Sequence, residues 1–196
     1  MTPFLLGLGG VAPEPTTLEY KVSTANDAES IVRGVTYRGS AGGEDPLYWH
    51  SRKGASLNTN LRFTGVAVPQ GATIVDARLT VYANAAASGM DANDFVVVGA
   101  EQVDSATAVT DYSTHNTRAA SVGVTVNWPV PNIALLGADT SPNLASVVQQ
   151  IVNRALWSAG NIQFFIESNF NSVSKPDIER HNFVTAPSSA YYPTLS

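Results

Sequence analysis

The sequence has no cysteine and little charge, and both shortages restrict its chemistry. Without cysteine there can be no disulfide, no thiolate nucleophile and no zinc-thiolate site. Charged residues make up 14% of the 196 residues, well below the roughly 25% of an average soluble domain. Because burying charge is costly, a surface poor in charge suits a protein that packs against others. A soluble secreted domain is the alternative that composition leaves open.

Runs of basic residues and long apolar runs are also missing from the sequence. The net charge is −5, so neutralisation of nucleic-acid phosphates is not expected. No apolar run approaches the roughly 20 residues that are needed to span a bilayer. We therefore expect neither a nucleic acid nor a membrane as a partner.

Alternating apolar and polar residues, separated by turn residues, recur along most of the chain. The clearest examples are residues 59–68 and 73–83, which are joined by a Pro-Gln-Gly-Ala turn. Further predicted strands cover residues 18–24, 30–38, 47–50, 95–103, 122–128, 162–166, 178–185 and 191–195. About nine or ten strands at this spacing predict an all-β antiparallel sandwich. Residues 104–121 are polar and rich in Thr and Ser, and we expect a long excursion there rather than a core element.

One α-helix is predicted, at about residues 142–154. Its apolar residues follow the period of one buried helix face and are Leu144, Val147, Val148, Ile151, Val152 and Ala155. Ser141 is the expected N-cap and Pro142 the expected first helical residue. Arg154 is expected to brace the end of the helix rather than to bind a ligand.

Residues 1–17 are predicted to form an extended arm, ahead of a domain at residues 18–196. Glycine and proline disfavour regular structure in this segment. Its apolar side chains, Phe4, Leu5, Leu6, Leu8 and Val11, are expected to bind a neighbouring chain, because termini fray unless they are tied down. Folding back onto the same domain is the alternative.

Two motifs resemble a known family. They are LRFTGVAVPQGATIVDARLTVYA at residues 61–83 and SPNLASVVQQIVNRALWSAGNIQFFI at residues 141–166. The chain resembles β-jelly-roll domains of the DNRLRE type over roughly residues 59–195. Such domains occur in bacterial surface proteins and among structural proteins of tailed bacteriophages. The resemblance implies a jelly-roll sandwich with Trp128 and Trp157 buried, and it leaves residues 1–17 unexplained.

The resemblance implies a non-enzymatic role in binding or assembly. A short chain with one such domain and an apolar arm looks like a virion component, either a capsid decoration (cement) protein or a head/tail accessory protein. Its expected partners are the major capsid protein or other virion proteins and further copies of itself, with a trimer as one closed arrangement. The alternative is a carbohydrate-binding module for cell-surface or host glycans.

No catalytic signature is present, and no cofactor is expected. The three histidines, His50, His115 and His181, lie far apart in unrelated contexts, whereas a metal site or a triad would need them to converge with carboxylates. A structural calcium would draw on the D-A-N-D string at residues 91–94. This string lacks the full calcium-loop pattern, and turn chemistry explains it better.

The aromatic residues provide the candidates for stacking against a sugar ring. Tyr48 and Trp49, beside the GSAGGED loop, and Tyr191 are the residues that we single out. A place in the core or in a protein interface is the competing interpretation for each of them.

Overall fold

The structure, a computed structural model, is built mostly from strands. It describes residues 14–22, 28–32, 36–39, 47–52, 55–83, 95–109, 111–129, 134–168, 181–183, 191 and 193–196. The strands are β1 Tyr20–Lys21, β2 Ala28–Val32, β3 Thr36–Gly39, β4 Leu47–Arg52, β5 Ala55–Val66, β6 Leu79–Tyr82, β7 Phe95–Glu101, β8 Val122–Pro129, β9 Ala138–Thr140, β10 Gly160–Ser168, β11 His181–Phe183 and β12 Thr194–Leu195. The helices are α1 Tyr112–Ala119 and α2 Ala145–Val152. The predicted arm residues Phe4, Leu5, Leu6, Leu8 and Val11 lie outside the described residues.

Two antiparallel sheets form the sandwich. The small sheet has the strand order β1-β12-β6-β9. The large sheet has the order β11-β4-β5-β10-β7-β8, and β2 pairs with both β5 and β3. The predicted all-β antiparallel sandwich is therefore confirmed. The single strand predicted at residues 30–38 is wrong: the pairing of Val32 with Thr36 makes it the hairpin of β2 and β3, and the described residues hold twelve strands.

The core lies between the inner faces of the two sheets. On β6, Leu79 and Val81 are buried, whereas Tyr82 is only partly buried, as expected for a strand with one face turned inward. From the large sheet, Phe63 and Phe164 meet edge to face, with ring centroids 5.9 Å apart and an interplanar angle of 78°. This arrangement is a favoured geometry for paired aromatic rings.

Helix α2 adds most of its predicted apolar face to the core, whereas Ala155 is exposed and lies beyond the end of the helix. Its buried residues are Val147, Val148, Ile151 and Val152. The helix is shorter than predicted, and Ser141 is not its N-cap. The backbone amide of Ser141 donates to the Leu79 carbonyl (2.8 Å), and its Oγ accepts from the Leu79 amide (3.0 Å), so Ser141 extends the pairing of β9 with β6. Asn143 takes the capping role, because its Oδ1 accepts from the Ala145 amide at 2.8 Å.

The strand predicted at residues 73–83 is regular only over β6. Before β6, side chains from the α2 region take up the backbone amides. Gln149 Oε1 accepts from the Ile74 amide at 2.9 Å, and Asn143 Oδ1 accepts from the Ala77 amide at 3.1 Å. These contacts satisfy the backbone without a neighbouring strand.

Residues 104–121 were predicted as a long excursion rather than a core element, but they contain helix α1. Asp111 caps this helix with its Oδ1, which accepts from the Thr114 amide at 2.8 Å. His115 is the buried residue of α1, and its ring packs on Phe165 of β10. Phe165 lies on the outer face of the large sheet, opposite its core-facing neighbours Phe164 and Ile166. Helix α1 therefore covers part of that outer face.

Arg154, which was expected to brace the end of α2, bonds to the segment that follows β7. Arg154 Nε donates to Asp104 Oδ1 at 2.8 Å, beyond the end of β7. The two tryptophans expected to be buried are so: Trp128 is 1% exposed and Trp157 is 2% exposed. Trp157 also donates from Nε1 to the Val68 carbonyl at 2.7 Å, so its polar atom is satisfied.

Candidate interaction surface

The outer face of the small sheet carries a row of hydroxyl side chains. The strand register places Lys21 beside Thr194, Thr194 beside Thr80, and Thr80 beside Thr140. The Oγ1 atoms of Thr80 and Thr140 are 3.0 Å apart. The row therefore presents a largely uncharged strip across four strands.

The charged groups near this strip are neutralised by their own neighbours. Lys21 Nζ lies 3.3 Å from Glu19 Oε1, and Arg78 Nε lies 2.9 Å from Asp76 Oδ2. Both pairs are well exposed, so each contributes little to stability. A partner that approaches the threonines therefore need not bury an unpaired charge.

An exposed apolar cluster lies where β6 ends. The rings of Tyr82 and Tyr191 meet edge to face, with centroids 5.4 Å apart. The adjoining turn at residues 134–137 is tied to the same strand end, because the Leu136 amide donates to the Ala83 carbonyl at 2.8 Å. Leu135 is 60% exposed, Leu136 43% and Tyr191 36%. We refer to this cluster, Tyr82, Leu135, Leu136, Ala138 and Tyr191, as the tyrosine end of the small sheet.

Leu136 carries a backbone cost as well as an exposed side chain. Its φ of 59° lies in the left-handed region, which costs a non-glycine residue roughly 1–2 kcal/mol. Ala159, with a φ of 61°, is the other non-glycine residue with positive φ among those that the structure describes. A glycine would relieve the backbone at both positions.

The sequence-predicted stacking residues fall on different sheets. Tyr191 belongs to the tyrosine end of the small sheet. Tyr48 and Trp49 lie in β4 of the large sheet, opposite Asn182 and His181 of β11, and the structure describes the backbone of these strands rather than their side chains. The structure therefore gives no single platform made of the three aromatic residues.

Leu135 and Leu136 were missed by the sequence analysis. Neither residue belongs to a helical or alternating apolar pattern, and they stand in a short segment rich in proline and glycine. A leucine pair without such a pattern was the one available signal. The exposure of Leu135 and Leu136 depends on how the sheets pack, and the sequence alone does not predict it.

A second cluster lies beneath α1 and is polar. Asn60 Nδ2 lies 3.3 Å from His115 Nδ1, and Gln163 Nε2 donates to Asn60 Oδ1 at 2.9 Å. All three residues are buried. Because Asn60 Nδ2 can only donate, His115 Nδ1 accepts, and the neutral ring carries its hydrogen on Nε2. Within the described residues, neither His115 Nε2 nor Gln163 Oε1 has a hydrogen-bond partner.

The surroundings of His115 keep its imidazole neutral. Burial, and secondarily the positive charge of Arg118, lower the pKa of His115 to about 4 from its usual 6.5. Protonation would also place a second hydrogen on Nδ1, facing the amide group of Asn60. The cluster is therefore closed and uncharged at neutral pH rather than arranged for acid–base chemistry.

A buried ion pair holds the end of α1 on the large sheet. Arg118 Nε donates to Glu101 Oε1 at 2.8 Å, and the Arg118 Nη2 group bonds to Glu101 Oε2. The same guanidinium donates to the carbonyls of Thr107 and Ala108. Such a two-pronged contact fixes the geometry as well as supplying charge.

Asp139 places a carboxyl group toward the core from β9, an edge strand of the small sheet. Burial raises the pKa of Asp139 to about 6, and hydrogen bonding from the Trp128 side chain and the Thr140 backbone lowers it by less. An inward-facing carboxyl on an edge strand discourages pairing with further strands.

The described residues contain no group of three or more His, Cys, Asp or Glu side chains that could hold a metal ion. The calcium alternative at residues 91–94 lies outside them. In the same part of the chain, no helix has both the length and the apolar character needed to cross a membrane.

Comparison with known proteins identifies no relative from which a function could be inferred. No protein-family model matches the sequence, and a search of curated proteins gives no significant match.

Proposed function

We propose that this chain is a non-enzymatic structural protein of a tailed-bacteriophage virion. Within the particle it acts as a capsid decoration (cement) protein or a head/tail accessory protein. Its partners are the major capsid protein or other virion proteins, and it forms a homo-oligomer. The mechanism is burial of surface between neighbouring subunits.

The observation that carries the assembly role is the outer face of the small sheet. Thr194, Thr80 and Thr140 form an uncharged strip, and the exposed Leu135 and Leu136 lie in the turn before β9, the strand that carries Thr140. Protein interfaces are depleted in charge at their centres and enriched in aromatic residues. The assignment to a phage particle rests on the resemblance of residues 61–83 and 141–166 to the jelly-roll family.

The direct test is the protein composition of purified particles. Phage-like particles from a lysate of the cells that encode this chain would be banded on a density gradient and analysed by mass spectrometry. We expect the chain at a fixed ratio to the major capsid protein, and we expect that ratio to survive washing at high salt, because the contact is uncharged. Recovery of the chain only in the soluble fraction or in the cell envelope would refute the proposal.

A carbohydrate-binding module is the second candidate, and Tyr191 favours it. Tyr191 is 36% exposed, and its ring meets that of Tyr82 edge to face, which limits how the ring can turn when a sugar approaches. A glycan array with the full chain tests this function. Saturable binding that is lost in Tyr191→Ala but kept in Tyr112→Ala, on α1, would support it. Absence of binding to every glycan would reject it.

A further inference from the structure

We propose that the tyrosine end of the small sheet is the docking site for residues 4–11 of a second copy of this chain. The inference rests on the proposed assembly function and deepens it by naming both halves of a contact between copies. It places the occupant beside Leu135, Leu136 and Tyr191.

The first argument is the cost at Leu136. This residue combines a left-handed backbone with a side chain that is 43% exposed. Glycine or asparagine would relieve the backbone, and a polar side chain would suit water. A non-glycine residue that combines this backbone with an exposed apolar side chain is a candidate for an external contact.

The second argument is the matching chemistry of the two halves. Residues 1–13 read MTPFLLGLGGVAP and contain no charged side chain. The tyrosine end is also free of charged side chains, as its members are two tyrosines, two leucines and an alanine. Contact between the two surfaces would bury apolar area without stranding a charge.

The third argument is reach. Thirteen residues precede Glu14, and fully extended they span at most about 45 Å. The first described strand, β1, is one edge of the small sheet, and β9, beside the tyrosine end, is the other. Three strand spacings separate these edges, which is about 14 Å. The segment is therefore long enough to leave its own domain and still cover a site of this size.

The occupant is assigned to another copy because the proposed function requires contact between subunits, and Leu135, Leu136 and Tyr191 offer exposed surface for that contact. Each copy then offers one segment and one site. Because the two surfaces differ, the contact is heterologous and closes into a ring when the rotation between copies allows it. A trimer is one such ring.

The test uses the full chain in four forms, measured by sedimentation velocity at matched concentrations. The site variant is Leu135→Ser/Leu136→Gly. Its control is Leu156→Ser/Ala159→Gly, which places serine at a leucine that is 76% exposed and glycine at the other described non-glycine residue of positive φ. The fourth form lacks residues 2–12.

We expect the unchanged chain and the control to be oligomeric, and the site variant and the truncated chain to be monomeric. Thermal unfolding of the site variant should be no lower than that of the unchanged chain, because glycine removes the strain at position 136. An equimolar mixture of the two monomeric forms should produce a one-to-one dimer, because the truncated chain keeps the site and the site variant keeps the segment.

Three results would overturn the inference: an unchanged chain that is monomeric at its highest soluble concentration, an oligomer that survives either change, or a mixture that stays monomeric. The last result would indicate that each segment covers its own domain. These failures are distinct from failure of the proposed function, because detection of the chain in purified particles does not depend on contact between its copies.

Discussion

The imidazole of His115 packs edge-on against the ring of Phe165, with centroids 4.9 Å apart and planes at 78°. This contact joins α1 to the outer face of the large sheet. On its other side, the ring accepts a hydrogen bond from Asn60. A histidine in this position is held neutral by its packing, and the folding equilibrium therefore depends on pH.

The first prediction concerns acid destabilisation through His115. Its pKa is about 4 in the folded chain and 6.5 when unperturbed. Because the folded pKa is the lower one, the contribution of His115 to stability is complete above pH 6.5 and is lost as the pH falls toward 4. The loss amounts to about 3 kcal/mol, from about 1.4 kcal/mol for each pKa unit.

Urea unfolding of His115→Gln and of the unchanged chain, at pH 7 and pH 4, measures this loss. The free energy of unfolding of the variant, relative to the unchanged chain, should rise by about 3 kcal/mol between the two pH values. Asn116→Gln, on the exposed side of the same helix, should show no such change. Parallel pH profiles for all three chains would contradict the prediction.

The second prediction concerns Asp139, which acts in the opposite direction. Its pKa is raised from 3.8 to about 6, so the folded chain holds the proton more tightly than the unfolded chain. Its contribution to stability is complete below pH 3.8 and is lost as the pH rises through 6, by about 3 kcal/mol. As the pH rises from 3.5 to 7, the free energy of unfolding of Asp139→Asn should therefore increase by about 3 kcal/mol relative to that of the unchanged chain.

The double variant provides the check on both pH predictions. Between pH 4 and 6 the opposing slopes from His115 and Asp139 nearly cancel in the unchanged chain. Each single variant leaves the pH dependence of the other residue visible. His115→Gln/Asp139→Asn should remove both contributions, because His115 lies on α1 against the large sheet and Asp139 lies in the small sheet, so the two act independently. A double variant whose pH profile still follows that of either single variant would show that other groups dominate.

The predictable parts of the fold are those where burial leaves a period in the sequence. Val147, Val148 and Ile151 recur at helical spacing, and this face of α2 is buried. Leu79 and Val81 alternate with partly buried residues, and they face the core from β6. In such segments one face of the helix or strand must be buried, and this requirement sets the spacing of the apolar residues in the sequence.

Helix α1 could not be predicted in this way, because only one of its residues is buried. Its sequence, YSTHNTRA, has no apolar stripe, and the polar contacts of His115 and Arg118 hold it in place. The capping of Thr114 by Asp111 was the available signal. The tyrosine end was hidden for a related reason, since the contact between Tyr82 and Tyr191 joins distant parts of the chain.

The third prediction compares two arginine–carboxylate pairs of different burial. The side chains of Arg118 and Glu101 are 13% and 8% exposed, whereas those of Arg154 and Asp104 are 34% and 31% exposed. Arg118→Met leaves a buried carboxylate without its partner and should cost about 3 kcal/mol. Arg154→Met should cost about 1 kcal/mol or less.

Urea unfolding of both arginine variants at pH 7 tests this difference. The double variant Arg118→Met/Glu101→Met removes the stranded charge and should recover most of the stability that Arg118→Met loses. Equal losses for the two single variants, or no recovery in the double variant, would mean that burial does not decide the value of these pairs.

The fourth prediction concerns Gly160, where β10 begins against the backbone of another segment. A Cβ at this position would lie 2.6 Å from the Asp104 carbonyl oxygen, so Gly160→Ala must displace main chain and should cost about 1–3 kcal/mol.

Gly123→Ala is the matched control, because its Cβ would meet the end of the Gln150 side chain. That side chain can turn away at the loss of its 3.0 Å hydrogen bond from the Val124 amide, which costs about 1 kcal/mol. Gly123→Ala/Gln150→Ala removes the nearer obstacle and leaves the end of the flexible Gln102 side chain 3.0 Å from the added Cβ. Relative to Gln150→Ala alone, Gly123→Ala should then lower the free energy of unfolding only slightly. If Gly160→Ala proves no more costly than Gly123→Ala in the same urea titration, the close approach of β10 to Asp104 is not a constraint on the fold.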